Sequence, residues 1–315
     1  MSGLAVSSAG GAVFLALLVD RIFGEPRRWH PVVGMGRYLG WIGKRIAPEG
    51  GDAGRDLRAF LAGAAAWLAG ALFCAALAWS LQSALQQLHP LLSVSALGLL
   101  LKPMLAWRML RDETAAVEAA LGESLQAGRD RLSRLVSRDT SMLTAAEVRE
   151  SAIESLAENF NDSGVAPMFW FLLLGLPGAA VYRFANTADA MWGYRGSRHG
   201  RCWEWAGKFS ARADDVLSWL PARIAGFLVL AGAPRSAWSA LPAVARLTPS
   251  PNGGWPMGAM ALRLGVRLGK PGAYVLFAAG RVPQAADTAA ALRITGRIVF
   301  FLAALAVFSV VVALA

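Results

Sequence analysis

Glu154, Glu158 and Asp162 recur at steps of four residues, with no Lys or Arg among them, and Glu147 and Ser151 extend the same stripe. Ile153, Leu156 and Phe160 fall on the opposite side of the same helical wheel, so the spacing predicts a helix with one polar face and one buried face. Like charges four residues apart destabilise an isolated helix by about 0.2 to 0.5 kcal/mol per pair. A solvated acidic surface is the bland account. A divalent cation would remove the repulsion, and carboxylates with an amide such as Asn159 suit Mg²⁺ bridging a substrate phosphate. Thr144-Ala145-Ala146-Glu147 fits a capping box, which starts the helix there and assigns Glu147 to the cap.

A second polar segment follows. Asn186-Thr187-Ala188-Asp189 precedes Gly193-Tyr194-Arg195-Gly196, and then Ala211-Arg212-Ala213-Asp214-Asp215. Arg212 and Asp215 are one turn apart and could simply pair, for about 0.5 kcal/mol or less if exposed. Asp214 is not explained by that pair. Together with the first stripe, these acids match two facing acidic surfaces that hold metal and phosphate between them, although charge clusters can be structural. Ser250-Pro251-Asn252-Gly253-Gly254-Trp255-Pro256 reads as a rigid turn with permissive glycines, suited to backbone contact with a ligand or to serving as a connecting loop. Asp20, Glu25, His30 and Pro31 could form a binding edge. Gly265 to Lys270 has the wrong spacing for a phosphate loop, and Pro271 stands in place of Ser or Thr, so no Walker-type site is present. Cys74 and Cys202 give neither a disulfide framework nor zinc spacing, and His89 lies in an uncharged turn without evident chemistry.

Composition says where this chemistry is housed. The 315-residue chain is 56% hydrophobic and 17% charged, with a mean hydropathy of +0.44, too apolar for an ordinary soluble domain. Its formal charge of +10 lies in segments between apolar runs, with no basic domain or tail, which argues for cytoplasmic retention of those segments and against nucleic acid. Phe60 to Leu81, Leu91 to Trp107 and Ile298 to Ala315 read as spans, and Ala12 to Val19 as a retained first span, because no Lys or Arg precedes it as in a cleaved signal. Val165 to Phe184 conflicts with the charge bias if it crosses, since Arg195, Arg198, Arg201, Lys208 and Arg212 would then lie outside. The break at Gly175-Leu176-Pro177-Gly178 predicts a re-entrant hairpin that keeps both polar segments on one side. Leu217 to Ala233 poses the same conflict, and its topology is open. The twelve Trp residues are expected to anchor at the membrane interface. Pro48 to Asp56 reads as a loop. The expected architecture is therefore an all-α, polytopic integral membrane protein in the cell (inner) membrane. It is one membrane-embedded unit, with polar inserts at about 21–58, 108–164, 186–216 and 234–297 forming a site that faces the cytoplasm.

Several motifs in one order carry a resemblance. Arg138-Asp139-Thr140, Glu154-Ser155-Leu156-Ala157-Glu158-Asn159, Asp162 with Ala166-Pro167, Asn186-Thr187-Ala188-Asp189, Gly193-Tyr194, Ala211 to Val216 with Pro221-Ala222-Arg223, and Ser250 to Pro256 resemble the CobD/CbiB family, the adenosylcobinamide-phosphate synthases of cobalamin biosynthesis. Asp20 to Pro31 resembles that family's N-terminal motif. Met257 departs from an expected acidic residue, and Trp203-Glu204-Trp205-Ala206 stands where Phe-Gly is more usual.

The resemblance implies a ligase that condenses adenosylcobyric acid with aminopropanol or its O-phosphate. ATP converts the carboxylate into an acyl phosphate, and the amine attacks the carbonyl and releases phosphate. Such chemistry depends on positioning and charge screening. The resemblance assigns Glu154, Glu158, Asn159, Asp162, Asp214 and Asp215 to catalysis, and Glu158, Asp162, Asp189 and Asp214 to Mg²⁺. It assigns Arg138, Asp139, Asn186, Asp189, Tyr194, Arg212, Ser250, Asn252 and His30 to binding substrate and nucleotide. The implied partners are the corrinoid, the amine, the lipid bilayer and other membrane enzymes of cobalamin assembly. A transporter would place acids within several full-length spans, and a signalling relative would lack the paired acidic motifs.

Overall fold

A computed structural model describes residues 3–25, 30–50 and 54–314, and it is almost entirely helical. The first half runs through α1 (Gly3–Phe23), α2 (Pro31–Ile46), α3 (Leu57–Leu85), α4 (Pro90–Leu101), α5 (Trp107–Glu123), α6 (Leu125–Leu132), α7 (Ala145–Phe160) and α8 (Ala166–Trp192). A short antiparallel pair follows, β1 (Ser197–Arg198) with β2 (Arg201–Cys202), and then α9 (Lys208–Leu230), α10 (Arg235–Ala245) and α11 (Gly254–Leu264). A second hairpin, β3 (Leu268–Lys270) with β4 (Tyr274–Leu276), precedes α12 (Ala285–Leu314). The two hairpins were not legible from periodicity, because strands of two or three residues are too short to alternate. The Pro48 to Asp56 loop lies partly outside the described residues.

Two compact units divide the chain, one of Met1–Leu105, Ala166–Ser218 and Ala306–Ala315, the other of Ala106–Val165 and Trp219–Leu305. In the first, Leu39, Trp67, Phe184, Ala188, Trp192 and Ala206 form the core of α2, α3, α8 and the α8–α9 connection. Trp67 and Trp192 are 7% and 1% exposed, so these two serve the core and not the membrane interface. The interfacial expectation suits Trp41 and Trp219 better: both are exposed, with Arg45 and Arg223 stacked on their rings from the next turn. In the second unit, Ile153, Leu156 and Phe160 of α7 pack with Val229, Leu241, Met260, Leu268, Leu276 and Ile298.

Among the described residues, four helical stretches are long and apolar enough to cross a bilayer: Leu57–Leu85, Pro90–Glu123, Ala145–Trp192 and Ala285–Ala313. This is the pattern of a multi-pass membrane protein. On α3, Leu72, Phe73 and Trp79 face outward, and on α12 so do Phe300, Phe301 and Phe308, an apolar surface suited to lipid. The α1 helix contains the run Ala12 to Val19, and α9 contains most of the run Leu217 to Ala233, but neither helix is among the four. The expected span Leu91 to Trp107 is interrupted: α4 ends at Leu101, and a 3₁₀ turn over Lys102–Met104 intervenes before α5. Pro103 has no N–H to continue the α-helical ladder.

The Val165 to Phe184 segment folds back on itself. Gly175 adopts φ 70° and ψ −158°, a region populated essentially by glycine alone. Gly178 lies against the Trp170 carbonyl, whereas a straight helix would set them about 12 Å apart along its axis. Residues on either side of the break reach consecutive positions of α9: Trp170 Nε1 donates to the Leu217 carbonyl at 3.0 Å, and the Tyr182 hydroxyl meets Ser218 Oγ at 3.1 Å. Gln82 of α3 accepts the Leu176 amide at 2.7 Å and so satisfies the exposed backbone at the apex. The stretch Ala145–Trp192 is thus no straight rod, and the predicted reversal at Gly175 is present.

A buried charge network joins α1, α2 and α4. Lys102, 4% exposed, reaches Asp20 at 3.2 Å and Glu25 at 2.8 Å, and Glu25 also takes His30 Nε2 at 2.7 Å. His30 Nδ1 accepts the Val32 amide and caps α2, so the ring proton sits on Nε2 and is donated to Glu25. Burial raises the Glu25 carboxyl, but the bonds from His30 and Lys102 outweigh it and hold the group below the usual carboxylate range.

Gly175→Ala should cost about 1–3 kcal/mol and lower the unfolding temperature in detergent, whereas Gly122→Ala, whose Cβ meets open space, should not. Alkaline phosphatase joined after Asn186 should be inactive in cells; active fusions would show that the hairpin crosses. Lys102→Met removes the cation that Asp20 and Glu25 share and should destabilise the protein by about 3–5 kcal/mol, read as lost folded protein in membranes.

Candidate active site

The capping box at Thr144 and Glu147 forms as predicted, with both reciprocal bonds in place, and it starts α7 where the acidic stripe needs it. The polar face is not solvated, however. Glu150 is 2% exposed and Glu154 5%, and Ser151 and Ser155 are buried too, so α7 is covered nearly all round. The expectation of one polar and one buried face is corrected here: other parts of the second unit cover the polar side.

Those covers are specific. Arg138, from the connection before α7, bonds Ser151 and approaches Glu154 Oε2 to 3.9 Å. Arg267, at the start of the β3–β4 hairpin, pairs with Glu150 at 3.0 Å, and Gly269 of β3 gives its amide to the same carboxylate. On the α5 side, Arg149 grips Glu118 with bonds of 2.7–3.0 Å, and Glu118 accepts Thr288 Oγ1 at 2.7 Å. This second ion pair fixes the rotation of α7.

Glu154 sits at the centre. Its Oε1 is buried without a hydrogen bond of normal geometry, and so is Nη1 of Arg138. The Tyr274 hydroxyl lies beside Glu154 and within electrostatic reach of Glu158, and burial together with those two carboxylates pushes the phenol upward. Glu158 is half-buried one turn on, beside Gly253, where a Cβ would come within 2.9 Å of its Oε1. Gly253 and Gly254 are therefore required by close approach and not by turn conformation: Gly253 is helical at φ −55°, and a Cβ on Gly254 would strike the Ala245 carbonyl. Ser250 Oγ accepts the Asn252 and Gly253 amides, while Asn252, buried, accepts Arg223 Nη1 at 3.2 Å. Arg223 stacks on Trp219 and Trp255.

Other expected residues lie at the margin of this group. Asn159 donates to the Ser155 carbonyl, and Asp162, in the π-helical turn Asn161–Val165, accepts from Asn161 at 2.9 Å. Asp139 is exposed and accepts the Ser141 amide. Met257, given no role by the sequence, meets the Tyr274 hydroxyl through sulfur at 3.8 Å.

In the first unit, Asn186 and Asp189 occupy the last turns of α8, and Arg212, Asp214 and Asp215 the first turns of α9. The two helices share the core around Ala188, Trp192, Phe209 and Ala213. Arg212 and Asp215 pair at 3.8 Å. Burial pushes the Asp215 carboxyl up against the pull of Arg212 and Arg195. Tyr194 bonds the Ala190 carbonyl and stacks under Arg198, and His30 is engaged by Glu25 and the α2 cap. Trp203 stacks on Trp192, and Glu204 accepts the Gly196 amide, so that loop is built for packing.

No group of three or more His, Cys, Asp or Glu among the described residues converges to hold a metal by itself. Mg²⁺ is ordinarily held by one or two carboxylates, with phosphate and water completing the shell. Glu154 and Glu158, with one carboxylate oxygen left unbonded, fit that pattern.

Comparison with known proteins agrees with the motifs. The model of the CobD/Cbib protein family matches residues 13–311. A cobalamin biosynthesis protein CobD of Chromobacterium violaceum is 40% identical over 306 residues, covering 93% of this chain and 95% of its own. A probable cobalamin biosynthesis protein CobD of Methanothermobacter thermautotrophicus is 39% identical over 271 residues, covering 84% and 85%. The CobD of Stutzerimonas stutzeri is 40% identical over 265 residues, covering 84% and 83%. No solved structure matches. Buried acidic motifs in this order, matched along nearly the whole chain, place the protein in the CobD/Cbib family.

Proposed function

We propose that this chain is a membrane-bound ligase of cobalamin biosynthesis, which joins adenosylcobyric acid to (R)-1-amino-2-propanol O-phosphate, or to free aminopropanol, as an amide, using ATP and Mg²⁺. Family membership and the names of the relatives support the pathway. The observation that carries the chemistry is the buried Glu154 and Arg138 pair, each with one polar atom that has no hydrogen bond of normal geometry.

A buried donor and a buried acceptor left open on two neighbouring side chains are costly, about 1–3 kcal/mol or more for each group. A ligand bearing both an oxyanion and a cation satisfies both, and metal-bound phosphate is such a ligand. The bond from Arg138 to Ser151 fixes the guanidinium so that Nη1 points at developing phosphoryl charge with no reorganisation. Glu154 and Glu158 would hold Mg²⁺, which when bound screens the charge of the transferring phosphoryl group. Burial of Glu154 keeps water from an activated carboxyl group, which hydrolysis would otherwise waste. Asn159, Asp162 and the Ser250–Asn252 loop shape the same region of the second unit. In the first unit, Asp189, Asp214, Asp215, Asn186 and Arg212 are assigned to metal and phosphate by their motifs.

Membranes containing the protein, incubated with adenosylcobyric acid, ATP, Mg²⁺ and each amine in turn, should yield a condensed corrinoid by mass spectrometry; no product with either amine contradicts the assignment. Glu154→Gln, Glu158→Ala and Asp214→Ala should each reduce turnover by about 100-fold or more at normal protein abundance. Wild-type turnover in any of the three removes that residue from the site.

A further inference from the structure

The hairpin β3–β4 carries side chains that neither the motifs nor the family assignment singles out. Its three-pair register, Leu268 with Leu276, Gly269 with Val275 and Lys270 with Tyr274, puts Lys270 and Tyr274 on one face of the ribbon and Val275 on the other. The hairpin is pinned to α7 at two points, by Arg267 on Glu150 and by the Gly269 amide on the same carboxylate. A Cβ at Gly269 would come within 3.3 Å of Glu150 Oε2, so glycine permits this close seat. Between hairpin and helix lies an open cavity of about 410 Å³, lined by Glu147, Glu150, Arg267, Lys270 and Tyr274 among others. The Tyr274 hydroxyl and the Lys270 ammonium both lie within electrostatic reach of Glu154, whose Oε1 is buried without a normal hydrogen bond. The Arg138 guanidinium approaches the same carboxylate through Nη2, at 3.9 Å, and its Nη1 is buried without a hydrogen bond.

Arg138, Lys270 and the phenol O–H meet Glu154 with Glu150 and Glu158 close by, so a phosphate seated there would bring a divalent cation between itself and the carboxylates. We propose that Lys270 and Tyr274 of the hairpin, together with Arg138, form a phosphate-binding subsite over Glu154. The assignment rests on the ligase reading above. Lys270 supplies charge, Arg138 a fixed donor, and the Tyr274 hydroxyl a donor that Glu154 alone does not use with good geometry. The phosphoryl group could belong to the nucleotide or to a phosphorylated amine, which present the same chemistry.

The test is equilibrium binding by calorimetry on the full chain in detergent, with Mg²⁺ and a non-hydrolysable ATP analogue in one arm and phosphoethanolamine in the other. Tyr274→Phe and Lys270→Ala should each weaken one of the two ligands about tenfold and leave the other unchanged, and the weakened ligand names the source of the phosphate. Val282→Ser, exposed beyond the hairpin and outside that cavity, should bind both as wild type does, which separates loss of a contact from general damage. Wild-type binding of both ligands by both Tyr274→Phe and Lys270→Ala overturns the subsite while leaving the ligase reading standing. Failure of the wild-type chain to bind the nucleotide analogue overturns the ligase reading and the subsite with it.

Discussion

An acid buried to 5% exposure with one oxygen lacking a hydrogen bond is a standing cost in the native protein, and the second unit is organised around bearing it. Removing a carboxylate from water is tolerated only where opposite charge or hydrogen bonding replaces the lost hydration. Arg138 supplies part of that replacement from 3.9 Å, too far for a full hydrogen bond. The neighbouring acid on the same helix has the better arrangement: Glu150 is held by Arg267 and a backbone amide. The contrast within one turn of α7 is informative. Glu150 has both a charged and a backbone partner, and Glu154 keeps one buried oxygen without a hydrogen bond.

The scaffold explains how such a site can persist. Arg149 and Glu118 lock α7 to α5, with Thr288 of α12 completing the set. Ile153, Leu156 and Phe160, each 2% exposed or less, bury the opposite side. Rotating α7 to bring Glu154 to water would break the ion pair and expose those side chains, at a cost of several kcal/mol. Fixed orientation is what the proposed phosphoryl-transfer site would require, since such catalysis depends on placement more than on a protein nucleophile.

What could be seen in the sequence was local. The capping box at Thr144 needs only four residues, and the reversal at Gly175 announced itself through a conflict between charge bias and hydropathy. The acidic stripe on α7 was likewise evident from its spacing. Its burial was not, because the groups that cover it come from far along the chain: Arg267 is 117 residues from Glu150, and Tyr274 is farther still from Glu154. The same holds for Lys102, which neutralises Glu25 across 77 residues. Short strands such as Leu268–Lys270 carry no period, so the hairpin that brings Tyr274 to the acids could not be read in advance. The glycines of Ser250 to Pro256 were visible, but the reason for them, proximity to Glu158 and to the Ala245 carbonyl, was not.

The proposed ligase requires that Glu154 and Arg138 be left open for a metal-bound phosphate. A cryo-electron microscopy structure of the protein in detergent with Mg²⁺ and a non-hydrolysable ATP analogue tests it most directly. Phosphate density within hydrogen-bonding distance of Arg138 Nη1, with a cation on Glu154 Oε1, is the predicted result. Nucleotide bound elsewhere, with Glu154 and Arg138 closed onto each other in a direct ion pair, would contradict it.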